Sequence, residues 1–202
     1  MKPPQGNYNI SGIVLAGGEN SRFKGITKAN IVVDGRSILR NILDLVSPIF
    51  SETIIVANNL DGFSEYSDYR IVRDVFRKVG PLGGLHAGMK ACSTEAVFLL
   101  ACDMPSLSED IIRYQIDLFF RSGCEILIPR IGQWDEPLHA IYSRAVYQRL
   151  DQFLGSTRKY AIRDFLQLAE VEYFNPEMKN FKRQVFTNIN TPDDLASLKE
   201  GR

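Results

Sequence analysis

The sequence predicts an α/β protein, a three-layer α/β/α sandwich built around a mostly parallel central sheet. Three observations carry that reading. Short apolar runs alternate with longer helical patterns along the chain, in the βαβαβ order that crossover connections produce. Most of these runs are rich in valine, isoleucine and leucine without period-two alternation, as strands covered on both faces are. The first run breaks at Gly17-Gly18, the punctuation expected where a strand ends and the backbone must approach something closely.

Taken in order, the strand candidates are residues 12–16 (GIVLA), 52–58 (ETIIVAN), 69–74 (YRIVRD), 96–103 (AVFLLACD), 124–130 (CEILIPR) and 139–143 (HAIYS). The stretch VVDGRS at 32–37 holds an Asp-Gly pair, a tight-turn signal within a small excursion. Residues 38–50 and 109–122 carry apolar side chains at helical spacing, and Ser108 is placed to cap the second of these helices. Residues 83–92 read as a shorter helix. Beyond 143 the alternation weakens: 144–153 and 158–169 read as helices, and VEYFN as a late strand. In TPDDL, Thr191 is placed as an N-cap with Pro192 at the first helical position, so Asp193 and Asp194 read as structural first-turn acids.

With 45% hydrophobic residues over 202 positions, the chain can bury a substantial core. No repeat, low-complexity segment or linker divides it, so 1–202 is expected to form a single domain. Lysine plus arginine and aspartate plus glutamate each number 24, so no basic field points to nucleic acid and any anion is held by a local site. The apolar runs are far too short to span a membrane, and the opening MKPPQGNYN lacks the apolar core of a signal segment. Cys92, Cys102 and Cys124 have neither metal-ligand nor redox spacing; Cys102 and Cys124 sit in strand-like runs and read as small buried hydrophobes. The expectation is a cytoplasmic protein with reduced thiols and no membrane partner.

The segment SGIVLAGGENSRFKGITK (11–28) concentrates glycines and cations at a strand's carboxyl end, where open parallel sheets gather their ligands. It is not a P-loop, since no glycine has the required spacing to Gly-Lys-Ser/Thr, and G-x-G-x-x-G is absent too. For the glycines alone, a plain turn with solvated cations is the simpler reading. The combination is more specific: unobstructed amide groups form an anion nest, and Arg22 and Lys28 can neutralise a polyphosphate. Asp103 follows a buried strand and precedes Met104-Pro105, where it is either a turn residue or a metal ligand. One carboxylate with substrate phosphates and waters is how magnesium is commonly held. Asp74 ends another run, as a solvated loop acid or a ligand contact. His86 and His139 read as packing or hydrogen-bonded residues, not catalysts, and Trp134 as a partly exposed aromatic on the second-substrate side.

Four motifs carry a resemblance: LAGGENSRFKGITKANIVVDGRSI near the start, VGPLGGLHAG (79–88), ACDMP (101–105) and NINTPDDL (188–195). Together they span nearly the whole chain, and they resemble the molybdenum cofactor guanylyltransferases within the α/β nucleotidyltransferase superfamily. The resemblance implies a Rossmann-like sheet of the nucleotide-diphospho-sugar transferase type. Residues of about 8–110 would form the nucleotide-binding half and about 111–202 the acceptor-substrate half. It implies Mg²⁺ on Asp103, with Arg22, Lys28 and Asp103 as catalytic residues. Nucleotide contacts would come from Leu15, Ala16, Gly17, Gly18, Lys28, Asn58, Asp74, Gly80 and Asp103. The family's base-pocket asparagine aligns about one residue earlier than Asn58, at Ala57. Gly83 and Gly84, like Gly80, would let the backbone approach a flat purine. Asn188 and Asn190 would lie near the pterin. The family usually reads R-M-G-x-x-D-K after its glycines, whereas here Lys24 replaces the glycine and Thr27 the aspartate.

The reaction so implied is transfer of GMP from GTP to a phosphate of molybdopterin or molybdenum cofactor, with release of pyrophosphate. Cofactor-biosynthesis proteins or acceptor apo-enzymes are the further partners it implies. The absence of a Ser-His or Cys-His nucleophile set agrees with direct transfer. A molybdopterin cytidylyltransferase, a sugar-phosphate nucleotidyltransferase and a catalytically degenerate nucleotide-binding module are the competing readings.

Overall fold

The computed structural model describes residues 8–17, 29, 31–33, 35–156, 160–189, 191 and 194. Strand β1 (Ile10–Leu15) is followed by the two-residue strands β2 (Val32–Val33) and β3 (Arg36–Ser37). These two pair antiparallel about Gly35, whose φ of 83° suits glycine and meets the expectation of a tight turn. Helix α1 (Ile38–Val46) starts under a Ser37 cap, whose Oγ accepts from Arg40 N at 3.1 Å. It stops short of residue 50, as Pro48 has no N–H to continue the ladder.

Then come β4 (Glu52–Val56), β5 (Arg70–Val72), α2 (Pro81–Ala91), β6 (Ala96–Ala101) and α3 (Glu109–Ser122). Helix α3 has the expected bounds. Ser108 stands at its N-cap, but its side chain makes no capping bond; Glu109 and Asp110 in the first turn favour that end electrostatically. Strands β7 (Ile126–Ile131), β8 (Trp134–Asp135) and β9 (His139–Ser143) precede α4 (Tyr147–Ser156), α5 (Ile162–Leu166) and β10 (Val171–Phe174). The helix expected from residue 144 begins as a 3₁₀ turn, Arg144–Val146, and α5 is shorter than expected.

The main sheet runs β10-β7-β9-β6-β1-β4-β5, with β8 appended to β7. The pairs β1–β4, β1–β6, β4–β5 and β7–β10 are parallel. Strand β9 is the exception, antiparallel to both β6 and β7. The chain reverses at Gly132 (φ 60°) into β8 and continues into β9, leaving no crossover that could make β9 parallel.

Both sheet faces are covered. Val14, Ile55 and Leu100 pack with α1 and α3 residues such as Leu39, Leu43, Ile112 and Ile116. Ile13, Ile54 and Leu99 pack on the other face with Leu85 and Met89 of α2 and Leu150 and Leu154 of α4. That two-sided burial is why the strands read as unbroken apolar runs. All three cysteines are buried and none is in a disulfide.

Candidate active site

The parallel strands β1, β4, β5 and β6 end together, and their pairing continues past the strands proper. Ala16 N donates to Val56 O (2.9 Å), Ala57 N to Val72 O (3.0 Å) and Cys102 N to Leu15 O (3.1 Å). Gly17, Asn58, Asp74 and Asp103 therefore emerge at one sheet edge, each within two residues of a bonded position. Leu15 is half-buried, Ala16 is buried, and Gly17 is exposed beside the backbone of Asn58.

Asn58 and Asp74 form a reciprocal pair. Asn58 Nδ2 donates to Asp74 Oδ2 at 2.8 Å, and Asp74 N donates to Asn58 Oδ1 at 3.0 Å. The pair joins the ends of β4 and β5. Next to it, α2 begins at Gly80 (φ 66°) with no side-chain cap and Pro81 in its first turn. Gly80 is exposed, whereas Gly83 and Gly84 are buried in tight packing. A Cβ on Gly84 would sit 2.5 Å from Leu15 Cδ2, and one on Gly83 would sit 2.8 Å from Phe76 O. Their missing side chains admit β1 and the 74–79 loop, a tight packing compatible with the approach to a purine expected of this segment.

Asp103 is half-buried at the end of β6. The C-terminal segment returns to it, with Ile189 N donating to Asp103 O at 2.8 Å. Asn188 is thereby carried to the same edge, and its Oδ1 is buried and receives no hydrogen bond among the described residues. Thr191 and Asp194 form the expected cap reciprocally: Asp194 N donates to Thr191 Oγ1 (3.2 Å) and Thr191 N to Asp194 Oδ2 (2.8 Å). Gly18, Arg22, Lys24, Thr27, Lys28, Asn190, Pro192 and Asp193 lie outside the described residues.

The profile of the MobA-like NTP transferase domain matches residues 12–172, which takes in every strand from β4 to β9 and most of β1. The chain belongs to the MobA-like NTP transferase family. A molybdenum cofactor guanylyltransferase of Syntrophotalea carbinolica is 31% identical over 92% of this chain and 88% of its own. Another, of Desulfosudis oleivorans, is 30% identical over 96% of this chain and 98% of its own. In structure the chain resembles molybdopterin-guanine dinucleotide biosynthesis protein A of Archaeoglobus fulgidus. The TM-score is 0.81 at 26% identity, covering 94% of this chain and 97% of that one.

In this MobA-like transferase, sequence reasoning passed over Glu136. It lies in the link between β8 and β9, whose Leu138 O accepts from Ala101 N two residues before Asp103. Burial first, then the charges of Asp103 and Asp135, hold the Glu136 carboxyl above the usual range, and Arg183 opposes them. The signal was the Asp135-Glu136-Pro137 run just ahead of β9. Among the described residues no group of three or more His, Cys, Asp or Glu side chains could hold a metal. Both histidines are packing residues, as expected. His86 meets Asp151 at 2.9 Å and stacks on Tyr147, and His139 meets Gln115 at 3.2 Å between Phe98 and Phe186. Trp134 is 69% exposed on β8. A separate open cleft, bordered by Gly35, Arg36, Arg40, Asp44 and Glu65, includes none of the strand-end residues.

Proposed function

We propose that this MobA-like transferase moves GMP from GTP onto the terminal phosphate of molybdopterin or molybdenum cofactor, forming the guanine dinucleotide cofactor and pyrophosphate. The observation that supports this most is the convergence of Gly17, Asn58, Asp74 and Asp103 at one edge of the parallel sheet. The shared name of its relatives at about 30% identity supports the choice of nucleotide and acceptor.

Leu15 and Ala16 frame the base, and the amides at Gly17 and Gly18 hold the polyphosphate. Asn58 and Asp74 fix one another before the nucleotide arrives, and Gly80 opens α2 beside them. Arg22 and Lys28 neutralise the departing pyrophosphate. Asn188 and Asn190 orient the acceptor, whose half of the chain is about 111–202 against a nucleotide half of about 8–110. A phosphate is already nucleophilic at neutral pH, so the protein positions and neutralises and needs no strong base. The donors at the edge fit a hard divalent cation: the Asp103 carboxylate and the buried amide oxygen of Asn188 are both oxygen ligands. Asp103 would hold Mg²⁺. When bound, the ion supplies charge neutralisation on phosphate oxygens. Among the described residues no helix is long and apolar enough to cross a membrane, in keeping with work in the cytoplasm.

The test is pyrophosphate release from Mg-GTP and Mg-CTP, each with and without molybdopterin, beside direct nucleotide binding. GTP is expected to bind better than CTP and to release pyrophosphate only with the acceptor present. Binding without release in any combination sinks the enzymatic reading, and a preference for CTP makes the protein a cytidylyltransferase. Asp103→Ala is expected to lower turnover about 10²-fold or more with little change in melting temperature. Near-normal turnover of that variant at saturating Mg²⁺ would remove Asp103 from the chemistry.

A further inference from the structure

Strand β9 sits between β6 and β7 and sets them in step. Its Tyr142 pairs with Val97 of β6 on one side and with Ile126 of β7 on the other, and its Ile141 likewise joins Phe98 to Leu127. Both pairings are antiparallel, so β6 and β7 run in one direction and finish at one edge, β6 at Ala101 and β7 at Ile131. Asp103 follows the first end by two residues, and Trp134 pairs with Ile131 at the second, across the turn at Gly132. With one strand between them, the two ends stand about 10 Å apart. Cross-strand partners share a face, which puts Trp134 on the face of Ile131. Ile131 packs there with Ile111 of α3 and with Val185 and Phe186. The segment that follows Phe186 carries Asn188, whose buried Oδ1 receives no hydrogen bond among the described residues, and meets Asp103 O through Ile189 N.

Trp134 is the single tryptophan of the chain, and at 69% exposed it stands largely in solvent. Among the described residues its indole meets no other ring and makes no hydrogen bond. The hairpin beneath it is nonetheless braced. Arg130 gives Nε and Nη2 to the Asp135 carboxylate at 2.6 and 3.1 Å and lies over the Tyr173 ring at 3.6 Å. Glu136 N donates to Pro129 O at 2.9 Å just beyond. The ion pair lies on the face opposite the indole, because Asp135 pairs with Arg130 and Trp134 with Ile131. An aromatic ring that supports no packing, on a hairpin held rigid from its other face, is a preorganised platform for another flat group. The flanking Gly132, Gln133 and Asp135 are small or polar, so its apolar surface is that of one ring system and not part of an apolar strip. We propose that Trp134 is the stacking platform for the fused rings of the pterin acceptor. This rests on the reading of that acceptor as molybdopterin. The spacing of about 10 Å lets one molecule keep its rings on the indole while its terminal phosphate reaches toward Asp103. The rings of a pterin also bring N–H donors, which are what the buried Asn188 Oδ1 lacks.

The single tryptophan makes the test direct, since all indole emission of the protein comes from Trp134. Molybdopterin and inorganic phosphate are each titrated into nucleotide-free protein, and emission and binding heat are followed together. Saturable quenching by molybdopterin, and none by phosphate, is expected. Calorimetry should show molybdopterin binding weakened roughly tenfold in Trp134→Ala, with Trp134→Phe in between because it keeps a ring. Both variants should bind GTP and melt as wild type does, because the indole packs on nothing. In turnover, Trp134→Ala should raise the KM for molybdopterin by a similar factor with a smaller change in kcat. If molybdopterin binds by calorimetry and the emission does not change, the acceptor reading stands and the role of Trp134 falls. That role falls equally if Trp134→Ala binds molybdopterin as tightly as wild type, or if phosphate alone quenches as strongly. A clearly lowered melting temperature for Trp134→Ala overturns it too, by marking the indole as structural. If molybdopterin binds neither nucleotide-free protein nor protein loaded with a non-hydrolysable GTP analogue, the acceptor reading itself fails.

Discussion

Among the described residues, Asn58 and Asp74 hold one another by their side chains. Two hydrogen bonds cross between them, one to a carboxylate oxygen and one from the Asp74 amide, so neither side chain needs ordering when a ligand arrives. A pair of this kind acts as a unit, and its two members should not contribute independently. Asp74→Ala and Asn58→Ala are each expected to weaken GTP binding by about tenfold, and the double variant by little more than the worse single. Calorimetric titration of the three variants decides the matter. If the two losses multiply, each residue meets the nucleotide on its own account. Both residues could be picked from the chain as strand-end polar groups. Their partnership could not, because the 16 residues between them hide a pairing that only the parallel register of β4 and β5 brings about.

Helix α2 shows what an element requires of its residues. Gly84 and Gly88 lie one turn apart on the face against β1, where added Cβ atoms would meet Leu15 and Ile13. The neighbour differs in kind. Gly84 meets the tip of a half-buried leucine, but Gly88 meets three atoms of the fully buried, β-branched Ile13 at 2.4–2.8 Å. Gly88→Ala should therefore cost about 1–3 kcal/mol by overpacking, in spite of alanine's better helix propensity. Gly155 in α4 has nothing within 4 Å of its would-be Cβ, so Gly155→Ala should be neutral or stabilise by up to about 1 kcal/mol. Urea unfolding of both variants tests the contrast; equal effects would mean that α2 does not pack through its glycines. The elements legible in the chain were those whose ends carry local chemistry. Helix α3 has acids at its start and Gly123 in the left-handed region at its end, and it was read to the residue. The sequence pattern extends β6 two residues too far, because Cys102 keeps the run apolar where the chain enters a turn. The direction of β9 was not legible, since it follows from sheet order, which no local pattern encodes.

At the scale of the whole molecule, the join between β6, β9 and the C-terminal segment is filled by one buried imidazole. His139 is fully enclosed, with its Nδ1 on Gln115 and its ring edges on Phe98 and Phe186, so it bridges the sheet, α3 and the 183–186 turn. Burial pushes it down to about 4 from the ordinary 6.5. The folded protein thus keeps this ring neutral where the unfolded chain would protonate it. Its contribution to stability is complete above pH 6.5 and is lost as pH falls toward 4, because the unfolded state then binds the extra proton. At about 1.4 kcal/mol per pH unit, wild type should lose about 2 kcal/mol between pH 7.5 and 5 from this group alone. Glu136 works the other way, as its raised carboxyl favours the folded state when it takes up a proton in the acid range. Comparing wild type with His139→Gln isolates the imidazole, because Glu136 is common to both. The variant is expected to be less stable at pH 7.5, through imperfect packing, and to show a flatter stability profile down to pH 5. Urea midpoints at four pH values in that range provide the profile. Parallel profiles for the two proteins would mean that His139 takes up its proton without unfolding, and that this join admits water.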